Sequence, residues 1–210
     1  MSFIVKAEGG SFTPVPPGMH LARCYRIVDL GTQKTEYMGT VKHLPKVMLQ
    51  FEVHSEDEEG KPLVTAKNEP MTISKNYTVS LAEKSSLRND LQTWRGRDFT
   101  AEELRGFELE KILDQWAMIS VTKTIGNNGK EYTNIANINP VPSNIKKSGL
   151  PDGHNAARMF TILDADMDLF ETFSDNLKNK ISSSPEWQSR KVIKPAYGST
   201  NDPLIEDVPF

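Results

Sequence analysis

The chain has 210 residues, 37% of them apolar and 25% charged, at a net charge of −3, a balance that excludes a wholly disordered chain and allows one well-buried domain with appendages or two small ones. No apolar run approaches the roughly 18–20 residues that cross a bilayer, and the start, Met1-Ser2-Phe3-Ile4-Val5-Lys6-Ala7-Glu8, lacks the basic and apolar regions of a secretory signal, so the expected compartment is the cytoplasm, with no membrane contact. A single cysteine, Cys24, excludes an internal disulfide and a Cys-based zinc cluster.

Residues 3–18 carry Pro14, Pro16, Pro17, Gly9 and Gly10 and read as an irregular arm. Residues 20–30 are rich in β-formers and predict a first strand closing on Gly31. Val47, Leu49, Phe51 and Val53 alternate with Lys46, Met48, Gln50 and Glu52, which predicts a second strand with one buried and one exposed face. A third strand fits residues 71–81, with Ile73, Tyr77, Val79 and Leu81 on one parity. Leu87, Leu91 and Trp94 then fall at i, i+4 and i+7, the stripe of an amphipathic helix. Thr100 and Glu103 form a capping-box pattern opening a short second helix, with Leu104 and Phe107 facing inward. Strands return at 116–124 and 131–138, joined by the turn sequence Gly126-Asn127-Asn128-Gly129.

Three strands, a helical insertion and a two-strand hairpin match the element order of a five-stranded OB-type Greek-key barrel. The expected fold is therefore mainly β, with residues 1–142 as the barrel domain. Residues 143–193 read as a linker followed by a helix over 164–181, whose stripe of Phe170, Phe173, Leu177 and Ile181 must dock on the barrel or on a second subunit, a homo-oligomer. Residues 194–210 show no periodicity and read as a disordered acidic tail. Charge follows this division. Residues 1–150 hold 19 Lys and Arg against 18 Asp and Glu, and residues 151–210 hold 6 against 10. A near-neutral body still accommodates a basic groove, because binding follows the local field.

Three blocks carry a resemblance. They are Ala22-Arg23-Cys24 running to Ile27-Val28-Asp29-Leu30-Gly31-Thr32-Gln33; Ser80-Leu81 with Ser85-Ser86-Leu87-Arg88-Asn89-Asp90-Leu91, Trp94-Arg95-Gly96-Arg97 and Phe99-Thr100-Ala101-Glu102-Glu103-Leu104; and Glu131-Tyr132-Thr133-Asn134-Ile135-Ala136-Asn137-Ile138. Together they resemble a family of phage-encoded single-stranded-DNA-binding proteins, over most of residues 18–142. The resemblance implies an OB-fold and single-strand binding in replication or recombination. Separately, Glu206-Asp207-Val208-Pro209-Phe210 is similar to the acidic tip of bacterial single-stranded-DNA-binding proteins, which implies recruitment of replication or recombination proteins. Its chemistry suits that role: Phe210 is an aromatic anchor, Glu206 and Asp207 supply negative charge, and Pro209 stiffens the approach.

Single-strand binding needs cations for phosphates and aromatic faces for bases. Candidates on strands and connecting loops are Arg23, Tyr25, Arg26, Lys34, Tyr37, Lys42, Lys46, Lys75, Lys123, Lys130 and Tyr132. The usual OB face, on the second and third strands, favours Lys34, Tyr37, Lys42, Lys46 and Lys75. Trp94 lies on the helix stripe and is expected to pack inward. No enzyme or cofactor is expected. His20, His43, His54 and His154 lack metal-ligand spacing, and Asp164, Asp166 and Asp168 start like a calcium loop but continue with Leu169 where glycine is needed, so they read as a helix N-terminus. The rival reading is a protein–protein adaptor of the replication machinery with no DNA binding of its own.

Overall fold

The computed structural model describes residues 13–37, 39–126 and 129–190, with Tyr37 by its backbone alone. Its strands are β1 (Gly18–Tyr37), β2 (Thr40–Val53), β3 (Thr72–Thr78), β4 (Trp116–Ile125), β5 (Glu131–Asn139) and β6 (Arg158–Phe160). Helix α1 (Ser86–Arg95) and a 3-10 turn (Leu109–Ile112) lie between β3 and β4, and α2 (Ser143–Ser148), α3 (Met167–Glu171), α4 (Asp175–Ser182) and α5 (Pro185–Ser189) come later. The protein is mainly β. Its sheet is ordered β3-β2-β1-β4-β5 with antiparallel neighbours, and β6 adds parallel to β1. Among the described residues no ladder joins β3 to β5, although Lys75 Nζ on β3 reaches the carbonyl of Ala136 on β5 at 3.2 Å.

The first strand does not close on Gly31. It shifts register between Cys24 and Arg26 and between Asp29 and Gly31, then continues as a hairpin with β2 to the pair Tyr37 and Thr40. Bulges bend a strand without ending it. Gly31 has φ +64°, and a Cβ there would lie 2.5 Å from the Ser184 side chain, so both conformation and space demand glycine.

The inner face of the sheet carries the main core, including Ala22, Cys24, Ile27, Leu49, Phe51, Tyr77, Ile119 and Ile138. Helix α1 closes it with Leu87, Leu91 and Trp94, the stripe expected from the sequence, and Gly96 in the left-handed conformation stops the helix. Each such buried side chain contributes about 1.5–3 kcal/mol of burial. The indole of Trp94 packs 5.6 Å from the Phe51 ring and donates to the Trp116 carbonyl at 2.9 Å, so it is a core group as expected. The capping-box bonds between Thr100 and Glu103 also form, at 3.0 and 3.2 Å, but they close a turn and no α-helix follows. Phe107 still packs against the core, while Leu104 stays exposed.

The outer face departs from the expected alternation, because Met48 and Glu52 of β2 are buried too. A second core forms there from Val28, Leu30, Met48, Phe160, Ile162, Leu169, Phe170, Phe173 and Ile181. The apolar stripe of the C-terminal segment thus docks on the sheet of its own chain. The single helix expected over 164–181 is two, α3 and α4, because Ser174 caps α4 by accepting from the Leu177 amide and so ends the preceding turn. Asp166 caps α3 by accepting from the Leu169 amide at 3.0 Å, in line with a helix N-terminus rather than a calcium loop. The expected linker after Pro140 contains α2.

Candidate nucleic-acid interface

Residues 31–37 of β1 and 40–46 of β2 pair with each other beyond the body of the sheet. Lys34 opposes His43, Thr35 opposes Lys42 and Gly31 opposes Lys46, so Lys34 and His43 share one face while Lys42 and Lys46 share the other. Lys34 and Lys42 are exposed and form no ion pair among the described residues. Lys46 is half-buried, donates to Thr78 Oγ1 at 2.7 Å, and faces Lys180 of α4. Burial, and then the charge of Lys46, push Lys180 below the ordinary lysine range. Lys180 joins this cluster from 134 positions further along the chain, and no local pattern announces it. The hairpin is fixed in place by α4 and α5. Glu186 accepts from the amide and hydroxyl of Thr32 at 2.9 and 2.5 Å, and Gln33 donates to the Lys180 carbonyl at 2.9 Å.

From Lys46 and Thr78 the edge strand β3 runs away from this hairpin, with Asn76 and Ser74 exposed on its outer side. At its other end lies a groove of about 410 Å³, bounded by residues 72–74 of β3 and residues 131–133 of β5, with Gln50 and Val15. Tyr132, 45% exposed, stands in its wall. The β4–β5 hairpin also brings Lys130 to the surface and Lys123, which pairs with Glu131 at 2.6 Å. Two hairpins bearing cations therefore stand at opposite ends of a polar edge strand about 20 Å long.

The other candidates lie elsewhere. Arg23 is 6% exposed and donates to Glu52 at 2.8 Å, to Asp114 and to the Asn155 carbonyl. Glu52 has no exposed surface and also accepts from His54 and from the amides of His154 and Asn155 at 2.8–2.9 Å. Burial by itself would push its carboxyl up, but the bonds from Arg23, Asn155 and His54 together hold it down at about 2. Tyr25 is 4% exposed at the first bulge, and burial pushes its hydroxyl above the ordinary range. Half-buried Arg26 lies over the rings of Tyr25 and Phe173 at 5.1 and 5.5 Å. These three side chains pack on the outer face, Arg23 and Tyr25 buried and Arg26 half-buried. Lys75 points to the inner side, pairing with Asp90 at 2.7 Å, and Asp90 also accepts from the Tyr77 hydroxyl at 2.7 Å. This cluster bridges the gap between β3 and β5 under α1.

The outer face of β1 and β2 is thus covered by the C-terminal segment, while Ser74 and Asn76 of β3 and the lysines of the two hairpins stay exposed or half-buried. The side chain of Tyr37 and the tip residues Glu206, Asp207, Val208, Pro209 and Phe210 lie outside what the structure describes. Among the described residues no group of three His, Cys, Asp or Glu side chains is arranged to hold a metal ion, and no helix is long and apolar enough to cross a membrane. Neither the family models nor the curated proteins compared contain a match to this chain.

Proposed function

We propose that the protein is a non-enzymatic single-stranded-DNA-binding protein that coats and protects single strands during phage DNA replication or recombination. The carrying observation is the bracket of two cation-bearing hairpins around the polar edge of β3, with Tyr132 in the groove between β3 and β5. Flexible single strands suit this surface. Phosphates meet Lys34, Lys42, Lys46 and Lys130, and a base stacks on Tyr132 for about 1–3 kcal/mol. In this reading the strand order, with α1 between β3 and β4, is that of an OB-type barrel whose seam between β3 and β5 is bridged by Lys75, and β6 is an addition to it. Residues 206–210 recruit replication or recombination enzymes, and the protein works in the cytoplasm, that of the host where it is phage-encoded.

Fluorescence-anisotropy titration of labelled single-stranded and duplex oligonucleotides at two salt concentrations tests the reading. Preference for the single strand, weakened by salt through counterion release, is the expected result. No binding at either salt would overturn it in favour of an adaptor.

A further inference from the structure

A second cleft, of about 300 Å³, lies beside the C-terminal end of α1 and shares no residue with the surface described above. Its apolar walls are Trp94, Phe107, Ile112, Trp116 and Val141, and four cations, Arg95, Arg97, Lys111 and Lys146, also line it. Two carboxylates offset them. Glu103 stands in the lining, and Glu108, outside it, pairs with Lys111 at 3.1 Å. Four cations against two carboxylates leave two positive charges in a small space.

Glu103 has little capacity to spare, because it accepts from Arg95, from Arg97 at 2.8 and 3.0 Å, and from the Thr100 amide at 3.0 Å. One carboxylate thus serves two guanidiniums. Arg95 is held in place by rings, its guanidinium 4.6 Å from the Phe99 centroid and 4.9 Å from that of Phe107. Its Nη1 is buried and has no hydrogen-bond acceptor among the described residues, so this fixed cation carries an unmet donor. Planar guanidiniums with donors left over suit phosphate oxygens, and a monocarboxylate would neutralise one of the two excess charges where a diphosphate neutralises both. Bare phosphate would leave the indole and phenyl walls wet. A ligand that also carries a flat body covers them, and the exposed Gln115 amide in the lining offers a donor and an acceptor to its polar edge.

We propose that this cleft binds a nucleoside di- or triphosphate, with the phosphates on Arg95, Arg97 and Lys146 and the base against the Trp116 and Phe107 walls. The volume lies at the small end of ligand clefts, about 300–1,000 Å³, which suits one small molecule. The site is separate from the hairpins and β3, so it does not depend on the strand-binding reading.

The test uses the full chain and the indole NMR signals of Trp94, Trp116 and Trp187, assigned through single Trp→Phe variants. Trp187 packs against the second core and serves as the reference. Thymidine diphosphate moves the Trp116 signal saturably and leaves Trp187 in place; pyrophosphate competes with it, and thymidine without phosphate produces no comparable shift. In Lys111→Glu/Lys146→Glu, where both substituted side chains are exposed, thymidine diphosphate binds about tenfold more weakly while the Trp187 signal stays that of the folded chain. Oligothymidine binding is read separately by anisotropy, so failure of the strand-binding reading and failure of this one are told apart. An unmoved Trp116 signal at millimolar thymidine diphosphate would overturn the proposal, and so would an equal response to thymidine. A shift produced by oligothymidine or by an acidic peptide, and not by thymidine diphosphate, would also overturn it and make the cleft part of the strand's path or a protein-docking site.

Discussion

Arg23 and Lys34 stand eleven positions apart on the same strand, β1, and carry the same charge to opposite ends. At the base of the strand Arg23 is enclosed by Glu52, Asp114 and the Asn155 carbonyl, and holds the 152–155 loop against the sheet. At the tip, Lys34 is exposed with no ion pair among the described residues. The first cation serves the fold and the second is available to a ligand. Burial and partners decide between these duties; residue type does not.

The largest way to break this comparison is at the base. Arg23→Ala leaves the Glu52 carboxylate buried without its main partner, and should cost about 3–5 kcal/mol in urea denaturation. Single-strand affinity of the fraction that remains folded should be unchanged; a large loss would give Arg23 a direct part in binding. The same carboxylate sets an acid dependence. The Glu52 carboxyl is held at about 2, below its ordinary 4.5, so its stabilisation is fully present above pH 4.5 and fades as pH falls towards 2. Urea midpoints at pH 7, 4 and 3 should fall for the natural chain, and fall less for Glu52→Gln, which starts lower.

The local part of this arrangement was legible in the sequence. The alternation of Val47, Leu49, Phe51 and Val53, the Leu87-Leu91-Trp94 stripe and the β4–β5 hairpin all depend on neighbours within one or two turns. What was not legible depends on distant partners. Met48 and Glu52 are buried because a segment more than a hundred residues later covers them. Gly31 reads as a strand end, yet it is where Ser184 and Glu186 come close enough to exclude any side chain. For the same reason Arg23 and Tyr25 read as surface residues although they are buried, and nothing local places Lys180 beside Lys46. Polar residues on an edge strand leave no periodic signal that separates a binding face from a merely solvated one.

Two smaller effects sharpen the comparison at the tip. Tyr132→Ala removes one stacking face and should weaken single-strand binding by about 1 kcal/mol, near the low end for a stacked base, as read by anisotropy. Deleting residues 206–210 should have the smallest effect, leaving that affinity unchanged or slightly tighter, because Glu206 and Asp207 carry the same sign of charge as the phosphates. A clear weakening would show that the segment takes part in holding the strand.

The most direct measurement is the salt dependence of single-strand affinity in the natural chain and in Lys34→Glu/Lys42→Glu, using one labelled oligothymidine across a salt series. Neither lysine supports the fold through an ion pair among the described residues, so the variant should remain folded. If both lysines neutralise phosphates, affinity falls and the slope of log K against log salt flattens by about 1.4, roughly 0.7 for each phosphate left without its lysine. An unchanged slope with unchanged affinity would place the strand elsewhere and contradict the hairpin account.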